Sequence, residues 1–158
     1  LAFDEQNIPE KLEGAYLFLE DVQDPGNVGT IIRTADAAGY QGVFISSHSA
    51  DIYNLKTLRS MQGSHFHLPI YRLSREDMLT LARQNDLQIL ASTLSEDSLD
   101  YQKVEKNENF LLVMGNEGQG ISQEMTDVAD VLVHISMKGQ AESLNVAVAA
   151  GILMFALS

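Results

Sequence analysis

Asn27, Arg33, Glu117, Ser143 and Asn145 are the side chains whose setting in this sequence asks for a chemical explanation. Asn27 stands in Glu20-Asp21-Val22-Gln23-Asp24-Pro25-Gly26-Asn27-Val28-Gly29, a polar segment between an apolar run and a helix-like one. Pro25-Gly26 forces a turn and Asn27 is a suitable helix N-cap, so capping alone would account for it. Arg33 lies two turns further into the same helix, beside a small apolar face, where capping explains nothing. Glu117 sits among three glycines in Val113-Met114-Gly115-Asn116-Glu117-Gly118-Gln119-Gly120-Ile121-Ser122. Such glycines let backbone approach a ligand closely, and Ser122 suits the cap of a following helix. The spacing is not that of a dinucleotide fingerprint. Ser143 and Asn145 open the last helix, where Ser143 is a natural N-cap. Asn145 just inside a helix is an unfavourable choice that capping leaves unexplained.

The elements that must position these residues are legible in outline. Short apolar runs alternate with helix-period segments, which predicts crossover units and a mainly parallel α/β sheet flanked by helices. The strands are expected at Ala15 to Leu19, Gly42 to Ser46, Leu87 to Ser92, Phe110 to Met114 and Val131 to Ile135. Val28, Ile31, Ile32, Ala35 and Ala38 share one face of a helix ending at Gly39, and Arg75 to Asn85 carries a weaker helical pattern. A last helix runs from about Ser143 to the end. It is apolar nearly all round, with Val148, Gly151, Ile152 and Phe155 on one side, so it should lie between the core and a partner. Ser95 to Asn109 reads as a solvated loop. In this arrangement the polar segments leave strands and enter helices, at the carboxyl edge of the sheet where open α/β folds bind ligands.

The bulk numbers narrow the classes. At 158 residues with 45% hydrophobic side chains, one compact domain is expected. The chain has no Cys, which excludes disulfides, thiolate metal sites and thiol nucleophiles, permits a reducing cytoplasmic setting and leaves redox chemistry to a bound cofactor. Its longest apolar run, Val146 to Leu157, is too short for the roughly 20 residues of a bilayer span. Ten Lys+Arg against 22 Asp+Glu give a net charge of −12, the wrong sign for gripping nucleic acid by phosphate neutralisation alone. Either the substrate is not a polynucleotide, or the basic surface belongs to another segment or a partner. His65 and His67 have a two-residue spacing seen in metal sites, but no third ligand cluster accompanies them and no metal is expected. His48 and His134 read as incidental.

Taken together, the three segments resemble the three motifs of the SpoU (TrmH-like) RNA 2′-O-methyltransferases, within the knotted SPOUT group. The first matches as Asn27-Val28-Gly29 with Arg33-Thr34-Ala35, the second as Met114-Gly115-Asn116-Glu117-Gly118, the third as Glu142-Ser143-Leu144-Asn145-Val146. They stand in the family's order and span nearly the whole chain. Lys56 to Ile70, with Arg59, Gly63, Leu68 and Pro69, is similar to the family's connecting region. Two residues depart from the pattern: Ser136 stands where Pro is expected before Met137, and Met61 where many relatives have Ser.

The resemblance implies a SPOUT fold with a C-terminal trefoil knot, a rare exception to unknotted topology. It implies S-adenosyl-L-methionine held largely by backbone, at Thr93, Leu94, Gly115, Ile135, Met137 and Leu144. Arg33 is implied to orient the ribose hydroxyl and adjacent phosphate, since a guanidinium holds its protons too tightly to serve as a base. Asn27, Glu117, Ser143 and Asn145 are implied to hold the substrate and fix the loops, with the proton acceptor unassigned. Implied partners are RNA, rRNA before tRNA, and a second copy packed through the knot and last helix, in the cytoplasm, with neither metal nor membrane. A separate N-terminal RNA-binding domain, carried by many relatives, would lie outside these residues and reconcile the acidity. A non-catalytic cofactor or RNA-binding module and a small-molecule methyltransferase on the same scaffold are the alternatives.

Overall fold

The structure, a computed structural model, describes residues 8–51, 68–140 and 143–158. The connecting region with Arg59, Met61, Gly63, His65 and His67, and Glu142 of the third motif, lie outside the described residues. In chain order the elements are β1 (Ala15–Leu19), α1 (Pro25–Ala37), β2 (Gly42–Ile45), β3 (Ile70–Arg72), α2 (Arg75–Gln84), β4 (Gln88–Ser92) and β5 (Leu99–Asp100). A 3-10 turn (Tyr101–Lys103), β6 (Phe110–Met114), α3 (Gln123–Val128), β7 (Val131–His134) and α4 (Val146–Leu157) follow. Among the described residues the strands form one sheet in the order β3-β2-β1-β6-β4-β7-β5, and every pairing in it is parallel.

The strands are continuous apolar runs because both sheet faces are covered. Along β1, Leu17 and Leu19 join the cluster beneath α1 and α4, while Tyr16 and Phe18 join the one beneath α2. β6 divides in the same way, Leu112 and Met114 against Leu111 and Val113. Ile31, Ile32 and Ala35 of α1 and Ala150, Leu153 and Met154 of α4 fill the first cluster. The buried Tyr40 hydroxyl, its ionisation pushed up by desolvation, donates to the Met154 carbonyl at 3.1 Å and fastens α4 to the α1–β2 turn. Gly39 makes that turn with φ +82°, a left-handed conformation disfavoured by a Cβ.

Two expected helix starts are corrected. α1 is capped by Asp24, not Asn27: Pro25 at the first helical position presets φ, and the Asp24 carboxylate accepts from the N–H groups of Gly26 (2.8 Å) and Asn27 (3.2 Å). α4 begins at Val146, later than Ser143, and Asn145 is its cap. The Asn145 Oδ1 accepts from Ala147 (2.8 Å) and Val148 (3.2 Å), which explains the amide that an in-helix position did not. Ser122 caps α3 as expected, accepting from Met125 N–H at 3.1 Å. Ser95 to Asn109 is not wholly a solvated loop: β5 pairs with β7, and Tyr101 and Val104 pack on the core. Among the described residues no helix is long and apolar enough to cross a membrane.

Candidate functional site

Four neighbouring strands, β1, β6, β4 and β7, end at one edge of the sheet, and each hands the chain to a segment singled out above. Between the loops after β4, β6 and β7 lies a cleft of about 440 Å³. Thr93, Leu94, Gly115, Ile135, Met137 and Leu144 all line it, with Leu94 65% exposed into the opening. A second, more polar cavity of about 540 Å³ adjoins it, lined by Asn27, Glu117, Ser143 and Asn145 together with Gln23 and Asp24. Asn116, Glu117, Ser143 and Leu144 line both, so the two spaces share a wall.

Arg33 lines neither. It follows Asn27 by six residues, which on an α-helix is about 9 Å along the axis and roughly a third of a turn away. The side chain is exposed and makes no hydrogen bond or ion pair among the described residues.

Glu117 is the joint between the segments. Its Oε1 accepts from Gln23 N–H at 3.1 Å, and its Oε2 from Asp24 N–H at 2.8 Å and from the Asn27 side-chain amide at 3.4 Å. Asn27 in turn accepts, through Oδ1, from Asn145 Nδ2 at 3.2 Å, while Asn145 Oδ1 is committed to capping α4. One chain of hydrogen bonds therefore links all three motifs. Partial burial would raise the Glu117 pKa, but the backbone N–H of Asp24, its own and that of Gln23, with the Asn27 amide, outweigh it and hold the group below the usual carboxylate value. Glu117 is thus an ionised anchor and a weak base.

Four further residues, Glu20, Asn116, Asp21 and Ser46, build the site without having been singled out by the sequence. Glu20, 1% exposed, accepts from Ser122 N–H (2.6 Å) and Oγ–H (2.7 Å) and from Arg75 Nη1 (3.4 Å), pinning the far end of the Gly-rich loop. Asn116 donates to the Asp21 carbonyl at 2.8 Å and accepts from Gly118 (2.9 Å) and Gln119 (3.0 Å), folding the loop back on itself. The turn is so tight that a Cβ on Gly115 would sit 2.3 Å from Gly120 C and Ile121 N. Asp21 has φ +60°, a conformation costing roughly 1–2 kcal/mol for a residue with a Cβ. Ser46 offsets it, its Oγ accepting from Asp21 N–H (2.7 Å) and donating to the Asp21 carboxylate (2.6 Å). The signal for Glu20 was an acidic residue directly following a strand whose last four residues are apolar and buried.

A doubly covered parallel sheet with a glycine-turned cleft and a polar cavity at its carboxyl edge defines an α/β ligand-binding domain of the switch-point type. The SpoU rRNA Methylase family model matches residues 14–155. The chain is 43% identical over 150 residues to the 23S rRNA (guanosine(2553)-2′-O)-methyltransferase RlmP of Bacillus subtilis, covering 94% of this chain and 60% of that protein. Its structure superposes on the AdoMet-bound rRNA methyltransferase from Sinorhizobium meliloti with TM-score 0.88 at 40% identity, over 92% of this chain and 56% of that one. The SpoU methyltransferase AviRb from Streptomyces viridochromogenes, in complex with AdoMet, matches with TM-score 0.80 at 35% identity, over 92% and 57%. This chain belongs to the SpoU rRNA methylase family. It spans less than two thirds of the length of each of these three relatives.

Proposed function

We propose that residues 1–158 form the catalytic domain of an S-adenosylmethionine-dependent RNA 2′-O-methyltransferase acting on rRNA. The observation that carries this reading is the shared wall: a cleft suited to the cofactor opens beside the polar cavity that gathers Asn27, Glu117, Ser143 and Asn145. The cleft fits the cofactor by size, within the roughly 300–1,000 Å³ of small-molecule sites, and by chemistry. Leu94, Ile135, Met137 and Leu144 offer apolar walls, and Gly115 brings backbone polar groups to the surface. S-adenosylmethionine, when bound, supplies an electrophilic sulfonium methyl group. The chain's task is then to align a ribose hydroxyl with that methyl, which proximity and orientation achieve.

Asn27, Ser143 and Asn145 present amides and a hydroxyl to the substrate cavity, and Glu117 keeps the loops that carry them in register. Arg33 orients the ribose and its phosphate at the rim, beyond the cavity wall, through the planar fork of its guanidinium. The reaction asks for alignment and proton removal, and no metal is assigned to it. rRNA is favoured over tRNA by the names of the Bacillus and Sinorhizobium relatives; a protein that acts on rRNA works where ribosomes are built, in the cytoplasm. Two copies pack through α4 and the C-terminal segment, threaded as the knot of the SPOUT group. RNA capture depends on a basic surface outside this acidic domain. The charge favours one competing reading, a small-molecule methyltransferase. Transfer of labelled methyl from S-adenosylmethionine to rRNA, tRNA and small acceptors tests it: incorporation into rRNA ribose is expected, and incorporation only into a small acceptor would overturn it.

A further inference from the structure

Two walls of the cleft are loops with no charge to fix them, Thr93-Leu94-Ser95 after β4 and Ile135-Ser136-Met137 after β7. Along the second, alternate residues divide: Ile135 and Met137 line the cleft, whereas His134 and Ser136 line a separate cavity of about 460 Å³ against β5. On that far side a hydrogen-bonded row connects the two loops. Ser98 Oγ donates to the carbonyl of Ser95, itself a cleft residue, so that it accepts from His134 Nδ1 at 2.8 Å. Ser136 Oγ donates to the Asp100 carboxylate at 2.5 Å, so His134 Nε2, 3.3 Å from that hydroxyl oxygen, closes the row as a donor, the ring donating from both nitrogens. Asp100 belongs to β5 and pairs in register with His134, so the row spans both backbone segments. Its carboxyl is held below the usual range, first by the Ser136 hydroxyl and then by the Gln102 N–H. His134 is therefore not incidental. Ser136 stands where the family resemblance leads one to expect a proline, a residue that would stiffen this loop through its ring.

We propose that Ser136 and Asp100 are positioning residues for cofactor binding: their hydrogen bond, continued through His134 and Ser98, fixes the spacing of the two loops that face each other across the cleft. Neither side chain lines the cleft, so they act through Ile135 and Met137. The proposal rests on the reading that this cleft takes S-adenosylmethionine.

The test is titration calorimetry of the full chain with S-adenosylmethionine, alongside methyl-transfer kinetics and thermal unfolding. Ser136→Ala and Asp100→Ala should each weaken cofactor binding about five- to tenfold, the scale of one ordinary net hydrogen bond, because solvent screens this exposed pair. At saturating cofactor kcat should stay within about twofold, and the double variant should bind no more weakly than either single one. Asp100→Asn, which keeps an acceptor for the Ser136 hydroxyl, should restore affinity to within about twofold of the parent. Should an alanine variant fail to fold, Ser136→Cys replaces it and should lose affinity about threefold through its weaker donor. Parent-like affinity in the variants, additive losses, or a fall in unfolding temperature without a change in affinity would overturn the proposal while leaving the cleft assignment intact. A parent chain that binds no S-adenosylmethionine overturns both.

Discussion

A carboxylate that accepts hydrogen bonds from two backbone N–H groups and an amide of another segment has little left with which to take up a proton. Glu117 is in that position, and its lowered pKa follows from those donors acting against burial. A folded-state pKa below the unfolded value contributes stability that is fully present above about pH 4.3 and is lost as pH falls through the folded value. Glu117→Gln should therefore unfold about 2 °C lower than the parent at neutral pH. The two melting temperatures should converge below about pH 4, as measured by scanning calorimetry across pH. A difference that persists undiminished at pH 3 would show that the carboxylate charge is not what joins the loops. Arg33 is the opposite case, an exposed cation with no hydrogen bond or ion pair among the described residues. Arg33→Ala should reduce methyl transfer about 10²-fold or more, the effect of losing substrate alignment, with cofactor affinity and melting temperature unchanged. Normal turnover on rRNA would remove Arg33 from the mechanism.

At the scale of elements, Asn145 both caps α4 and reaches across to Asn27. Asn145→Ala loses the cap at about 1 kcal/mol, or a melting temperature lower by about 2–4 °C. Asn145→Asp keeps the capping oxygen but replaces the donor facing Asn27 Oδ1 with a second acceptor. It should regain the stability and still transfer methyl groups poorly; equal recovery of both would mean that the bridge between motifs does not matter. The same residue shows where sequence reading stops. β1 and β6 were legible to the residue because a strand covered on both faces is an uninterrupted apolar run. β3 and β5, three and two residues long at the sheet's edges, are too short to show any period. Asn27 and Ser143 were sound caps by type, yet the helices start at neighbours because Pro25 and the path of the chain decide among competent residues. The cleft lining came from the motif resemblance and not from spacing. The contacts joining the motifs, across 90 and 118 residues, are products of topology that no local pattern encodes. Glu20 and Asn116 are not distinguished in the sequence because each has a partner on a distant segment, Ser122 for Glu20 and the Asp21 carbonyl for Asn116.

The whole molecule presents a conflict between its charge and its apolar surface. Val148, Ile152 and Phe155 are 51%, 36% and 56% exposed and follow one another at helical spacing along α4, while Ala150, Leu153 and Met154 of the same helix are buried. A row of large apolar side chains beside the core helix is suited to a second copy of the same face about a two-fold axis. Two domains of net charge −12 repel one another, and that repulsion is screened over about 8 Å at 0.15 M salt and about 3 Å at 1 M. The proposed dimer should therefore tighten as salt rises, the reverse of the salt dependence expected for RNA binding. Sedimentation analysis at micromolar concentration should find dimer at physiological salt and a higher dimer fraction at 1 M. Phe155→Glu, which places a charge in the centre of the apolar row, should leave monomer at both salt concentrations while keeping the parent's melting behaviour at dilutions where the parent also dissociates. A parent that sediments only as monomer, or a dimer that weakens with salt, would mean that polar contacts or another face, and not α4, bring the copies together.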